Sequence, residues 1–108
     1  MSERPNPFTH AVFFKLKDPT AENCEQLVEA CYSLLSPIEG SLSLHAGARD
    51  EELVRPVNDQ EFDVALIVVF ESRATHDVYQ THENHLKFLA ENKDNWESVR
   101  IFDAAARP

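Results

Sequence analysis

The apolar residues of this chain repeatedly change their spacing, and the order of those changes restricts the fold more than any single motif. From Phe8 onward, His10, Val12, Phe14 and Leu16 alternate with Ala11, Phe13, Lys15 and Lys17. A period of two, rich in β-branched and aromatic residues, is that of a strand with one mainly apolar face. Asp18-Pro19-Thr20 interrupts the run. Asp18 or Thr20 is suited to cap a helix there, and Pro19 to sit in its first turn. Cys24, Leu27, Val28, Cys31, Leu34 and Leu35 then recur at steps of three and four, which is one apolar helical stripe, and Ser36-Pro37 ends it.

The strand period returns with Leu42, Leu44 and Ala46, which alternate with Ser41, Ser43 and His45 and stop near Gly47. Residues 48–60 are polar and predict a long connecting loop. Phe62 to Phe70 is nearly continuous in apolar residues and full of valine, as a strand covered on both faces would be. A helical pattern starts at Ser72, a suitable cap. It carries Ala74, Val78 and Tyr79, breaks near His82-Glu83-Asn84 and resumes through Leu86, Phe88, Leu89 and Trp96. Val99, Ile101 and Asp103 share one face of a final strand.

The predicted order is β-α-β-β-α-β. It is the order of a ferredoxin-like α+β fold, a four-stranded antiparallel sheet with helices on one face. The other sheet face is left bare, and an exposed apolar sheet is a liability. A second copy packing sheet to sheet would cover it, so the expectation is a homodimer in the form of a dimeric α/β barrel. A chain of 108 residues makes one domain. At that size about 60–70% of the unfolded surface is buried, and a partner subunit adds to it. Residues 1–7, polar with two prolines, are expected to form a flexible arm, residues 8–104 the domain and residues 105–108 a tail.

Charge excludes whole classes of partner. The net charge is -9, from 19 acidic and 10 basic residues, and such a chain cannot neutralise nucleic-acid phosphates or an anionic membrane surface. No apolar run approaches the ~18–20 residues of a membrane helix. Met1 to Pro7 carries no hydrophobic stretch of a secretory kind, so the expected location is cytoplasmic. Cys24 and Cys31 lie seven residues apart on one helix. That spacing separates them by about 10 Å, too far for a disulfide, and they read as small core residues. Gly40 and Gly47 are the sole glycines, which leaves no phosphate-cradling loop and no expected nucleotide cofactor. No Gly-x-Ser-x-Gly or Cys-His nucleophile arrangement is visible.

Four segments carry a family resemblance. The stretch His10-Ala-Val-Phe-Phe-Lys-Leu-Lys-Asp18 resembles the opening strand of stress-responsive A/B barrel (Dabb) domains. Phe62-Asp63 through Phe70-Glu71-Ser72 is similar to that family's third strand and its Phe-Glu-Ser exit. Tyr79-Gln-Thr-His82-Glu-Asn-His85 resembles its Tyr-x-x-His-Pro-x-His motif, and Trp96 with Val99-Arg-Ile-Phe-Asp103 resembles its closing strand. The resemblance implies a dimeric α+β barrel over about residues 8–104. Many members have no known activity, and some are stress-associated. One plant member closes a polyketide chain by an aldol condensation, a histidine acting as acid/base with an assisting tyrosine. The matching positions here are His85 and Tyr79, and that member's first-strand histidine matches His10. Its third-strand histidine is replaced here by Val64, and the motif's proline by Glu83.

The residues themselves allow that chemistry. His10 shares a strand face with Val12, Phe14 and Leu16, so its ring needs a buried partner or a cavity. A helix break at His82 lets Tyr79 and His85 converge. A neutral imidazole can then take a proton next to a carbonyl, and a phenol can donate to the oxyanion that forms. The expected pocket is lined by His10, Val12, Phe14, Val64, Leu66 and His82, with His85 and Tyr79 as the acid/base pair. His10, His82, His85 and Glu83 contain metal-compatible donors but no zinc signature, so no metal is expected. His45 and His76 fall on polar stretches and are expected to face solvent. Asp63 is expected to pair with Arg55 or Arg100. Three functions compete. The first is binding of a small apolar or aromatic molecule. The second is cofactor-independent catalysis of the cyclase or monooxygenase kind. The third is a structural dimer without ligand.

Overall fold

The computed structural model describes residues 6–107; expectations for residues 1–5 and 108 lie outside it. The strands are β1 (Phe8–Leu16), β2 (Ser41–Ala48), β3 (Val64–Phe70) and β4 (Trp96–Ala105). The helices are α1 (Ala21–Ala30), α2 (Arg73–Thr81) and α3 (Glu83–Asn92). They form one four-stranded antiparallel sheet in the order β2-β3-β1-β4, the ferredoxin-like arrangement that the periodicities predict.

Each helix begins where a short polar side chain replaces a missing backbone bond. Thr20 accepts from the Asn23 N–H at 3.1 Å and caps α1, with Glu22 in the first turn, where the helix dipole favours an acid. The end of α1 widens into a π-helical turn, Cys31–Leu35, which Pro37 prevents from continuing. Ser72 and Thr75 form a reciprocal capping box at α2. Gly40, at φ 106°, makes the turn into β2 where a Cβ would meet Thr75 Cβ at 3.0 Å. His82 takes extended backbone angles, φ -63° and ψ 143°, and so divides α2 from α3. Its side chain accepts from the Asn84 N–H at 3.0 Å.

The core lies between the helices and one sheet face. Val12, Phe14 and Leu16 of β1 and Val64, Leu66, Val68 and Phe70 of β3 are buried, beneath Leu27, Cys31, Leu35 and Ile38. Each such side chain contributes roughly 1.5–3 kcal/mol by leaving water. Burial pushes the Cys31 thiol up to about 12, so it is an apolar filler rather than a nucleophile. Cys24 is free as well.

Three local expectations are corrected. The alternation in β2 is broken by a register shift between Ser41 and Ser43. One extra residue in a strand turns its neighbours to the opposite face, so Leu42 is 60% exposed while Leu44 and Ala46 reach the core. β4 extends past Asp103 to Ala105, which pairs with Phe8, because ladder bonds use backbone alone. Asp63 pairs with neither Arg55 nor Arg100. Its carboxylate accepts from the Leu16 N–H at 2.8 Å and ties the end of β1. Arg100 instead grips Asp59 at 2.6 and 2.9 Å.

Among the described residues, no helix covers the opposite sheet face. Its β3 residues Ala65, Ile67 and Val69 are half-buried rather than fully covered. Phe62 folds over one corner onto Phe13, at 5.0 Å between ring centroids, and Phe102 beside Phe13 remains 56% exposed.

Candidate functional site

A cavity of about 260 Å³ lies between the sheet and α3 at the β4 edge. β1 supplies His10, Val12 and Phe14 to its wall, and β3 supplies Leu66. Tyr79 and Gln80 come from the end of α2; His85, Phe88 and Leu89 come from α3; Trp96, Val99 and Ile101 come from β4. The register explains the grouping. His10 stands opposite Asp103, Val12 opposite Ile101 and Phe14 opposite Val99, so these side chains share the helix-covered face. The break at His82 redirects the chain and sets Tyr79 and His85 side by side, their rings 4.9 Å apart.

The polar groups of the wall are deeply placed. His10 is 4% exposed, Tyr79 1% and His85 8%. His10 Nδ1 lies 2.5 Å from Asp103 Oδ1, which holds the ring in one orientation. Burial lowers the His10 pKa, while the hydrogen bond and charge of Asp103 act against that shift. Burial also lowers His85, helped by the nearby His10 and opposed by the backbone of Gln80. Burial raises the Tyr79 hydroxyl pKa, so it stays protonated as a donor. Two buried side-chain polar atoms lack a hydrogen-bond partner among the described residues: His85 Nδ1 and Trp96 Nε1. Both belong to residues in the wall of this cavity. Such groups normally find partners, so the wall presents hydrogen-bonding capacity that the protein itself does not use.

Six of the eight residues expected from sequence meet here: His10, Val12, Phe14, Leu66, Tyr79 and His85. Val64 and His82 do not line the cavity. Val64 sits at the β2-facing end of the core, paired with Ala48, and His82 is spent on capping α3. The set His10, His82, His85 and Glu83 forms no metal-sized cluster among the described residues. Sequence reasoning missed two residues. Asp103 was placed on a strand face without a role, because only the antiparallel register reveals that it meets His10. His76 does not face solvent. Its side chain is 12% exposed, and its ring packs 4.8 Å from Phe8, 4.9 Å from His10 and 5.5 Å from Phe70. The available signal was its place three residues before Tyr79, on the same helical face.

Comparison with known proteins agrees with this architecture. A dimeric ferredoxin-like protein of unknown function from Thermobifida fusca superposes with a TM-score of 0.78 at 22% identity, over 97% of this chain and 95% of that one. A Dabb family protein from Mesorhizobium loti gives 0.78 at 18% identity, over 95% and 99%. A hydroxynitrile lyase from Passiflora edulis gives 0.77 at 19% identity, over 95% of each chain. No curated protein sequence matches the chain. The family model of the stress responsive A/B barrel domain matches residues 8–106, nearly the whole chain, and the protein therefore belongs to that family.

Proposed function

We propose that the protein binds a small, largely apolar molecule carrying one polar group, of the class of aromatic carbonyl compounds, in the cavity beneath α3. The observation that carries this reading is the pair of unpartnered buried atoms, His85 Nδ1 and Trp96 Nε1, on a wall that is mainly apolar. Size agrees: an apolar cavity of about 150 Å³ holds benzene, so about 260 Å³ takes a ring with a side chain. Trp96 is the sole tryptophan and reports on the site directly. Acetophenone titrated into the protein is expected to change Trp96 fluorescence saturably and to bind more tightly than ethylbenzene, which lacks the oxygen. The preference is expected to weaken in His85→Phe, which leaves the Trp96 Nε1–H as an unpartnered donor. Absence of saturation in the wild type, or a preference unchanged by the substitution, overturns the reading.

A catalytic reading is favoured by one further arrangement, the neutral His85 ring in contact with the protonated Tyr79 hydroxyl side chain. The Passiflora hydroxynitrile lyase shares the fold, and cleavage of an aromatic hydroxynitrile is a fair trial of such a pair. The imidazole would take the hydroxyl proton as the carbonyl forms, and the departing cyanide would leave with the bonding electrons and recover that proton. Turnover above buffer that disappears in His85→Phe supports catalysis. Turnover no faster than buffer eliminates it and leaves the binding proposal standing.

We also propose that the bare sheet face pairs with a second copy of the chain, as exposed Phe102 and half-buried Phe13 and Ile67 favour. Phe102→Glu is expected to convert a dimer to a monomer in light scattering; a wild-type monomer at micromolar concentration defeats the proposal.

A further inference from the structure

Beside the cavity, His10, His76 and Asp103 come from three different elements, and their ligand atoms all lie within 4.8 Å of one another. We propose that these three side chains form a binding site for a divalent transition metal of the zinc and cobalt class. The inference is independent of what the cavity holds.

The donor set decides the class of ion. Two imidazoles and one carboxylate suit zinc, cobalt or nickel; calcium and magnesium prefer oxygen ligands. In a tetrahedral zinc site, ligand atoms about 2.0–2.2 Å from the metal stand roughly 3.3 Å apart. His10 Nδ1 and Asp103 Oδ1, now at 2.5 Å, would separate by about 0.8 Å, and the His76 nitrogen, within 4.8 Å of the other donors, would close by up to about 1.5 Å. Side-chain rotation suffices for both movements. The ion would take the place of the hydrogen bond between His10 Nδ1 and Asp103, the one proton of the neutral ring moving to Nε2, so that imidazole and carboxylate bind without a net release of protons.

The surroundings resemble those of a ligating histidine. His76 Nδ1 lies 3.1 Å from Asp77 Oδ1. A carboxylate on one ring nitrogen fixes the tautomer and leaves the other nitrogen for the metal. That other nitrogen, Nε2, is 3.2 Å from the Gln80 side-chain amide, a flexible group that an ion can displace. Phe8 and Phe70 hold the His76 ring from the sides. The Asp103 side chain is 38% exposed, which provides entry and room for water to complete the coordination. Burial keeps His10 in its neutral, ligating form. The net charge of -9 attracts cations to the molecule as a whole.

Cobalt is the direct probe. The full untagged chain, stripped with EDTA and dialysed into metal-free buffer at neutral pH, is titrated with Co²⁺ and followed by visible absorption. The expected result is the d–d absorption of a low-symmetry cobalt centre, saturating at one ion per chain. Zn²⁺ should displace the cobalt. His76→Gln and Asp103→Asn are expected to abolish the signal while far-UV circular dichroism is unchanged. Asp77→Asn, which removes the orienting carboxylate, is expected to weaken binding about tenfold. His45→Gln, at an exposed histidine elsewhere, is expected to bind as the wild type does. No saturable cobalt or zinc binding in the wild type overturns the proposal, and so does binding that survives both His76→Gln and Asp103→Asn.

Discussion

The helix-covered face of the sheet has two halves built by different rules. Over β2 and β3, the α1 side supplies Leu27, Cys31, Leu35 and Ile38, all at 3% exposure or less, onto Val64 and Val68 at 0%. Over β1 and β4, the α2–α3 side supplies Tyr79, His85 and Phe88 onto His10, Val12 and Phe14, and a cavity remains. At that edge Val99 is 40% exposed and Ile101 52%, although they occupy inward-facing positions of β4. One sheet and one layer of helices thus provide a sealed half that holds the fold and an open half whose buried polar atoms are not all satisfied. The division follows residue type: branched aliphatic and small apolar side chains pack closely beneath α1, whereas rings with polar nitrogens keep their neighbours at a distance.

The comparison breaks most readily in the sealed half. Leu35→Ala removes a side chain at 1% exposure and leaves a void, at a cost of roughly 3 kcal/mol. In a domain of this size that lowers Tm by more than about 10 °C. Thermal unfolding checks it; a loss below about 1 kcal/mol would mean that the α1 side collapses freely and is not the rigid half. In the open half the same logic reverses sign. His85→Phe replaces an unpartnered buried nitrogen with hydrocarbon and fills part of the cavity, so it is expected to stabilise the protein by about 1 kcal/mol while weakening the ligand preference described above. Urea unfolding measures the gain. Destabilisation would show that His85 already has a partner that matters to the fold. Ile101→Ala, half exposed at the cavity rim, is expected to cost less than about 1 kcal/mol by the same measurement. A cost equal to that of Leu35→Ala would erase the distinction between the halves.

How much of this could be read from the chain differs between the halves for a physical reason. The sealed half is legible in local patterns: Cys31 and Leu35 lie four apart on a helical stripe, and β3 shows as the nearly continuous apolar run Phe62 to Phe70, although which of its faces meets the helices does not. The helix break at His82 was also legible, and with it the meeting of Tyr79 and His85. The His10–Asp103 contact was not. It depends on which residue of β4 lies opposite β1, a register set over 93 residues of chain separation, and no local pattern encodes it. His76 was misread because its neighbours Thr75 and Asp77 are polar, while its own face of α2 also carries the buried Tyr79. The bulge at Leu42 was missed for a similar reason: an extra residue in one strand is defined only by its partner strand.

The smallest predicted effect concerns pH and separates the halves by chemistry. The sealed half contains no imidazole among its buried residues, whereas His85 and His10 are buried in the open half. Burial depresses His85 below its ordinary 6.5, and the charges of His10 and His76 add to this against the Gln80 backbone. A depressed base in the folded state means that the unfolded chain binds more protons in the interval below 6.5. The contribution is therefore complete above about pH 6.5 and is lost as the pH falls from there toward the folded-state value. In EDTA, so that no metal competes for the neighbouring donors, Tm is expected to be level from pH 8 to 7 and to decline from 6.5 downward. His85→Phe is expected to make that decline shallower without removing it, because His10 is depressed by burial as well. An identical slope in both proteins would mean that His85 titrates as freely as it does in the unfolded chain. The open half would then be wetter around α3 than an 8% exposed ring allows.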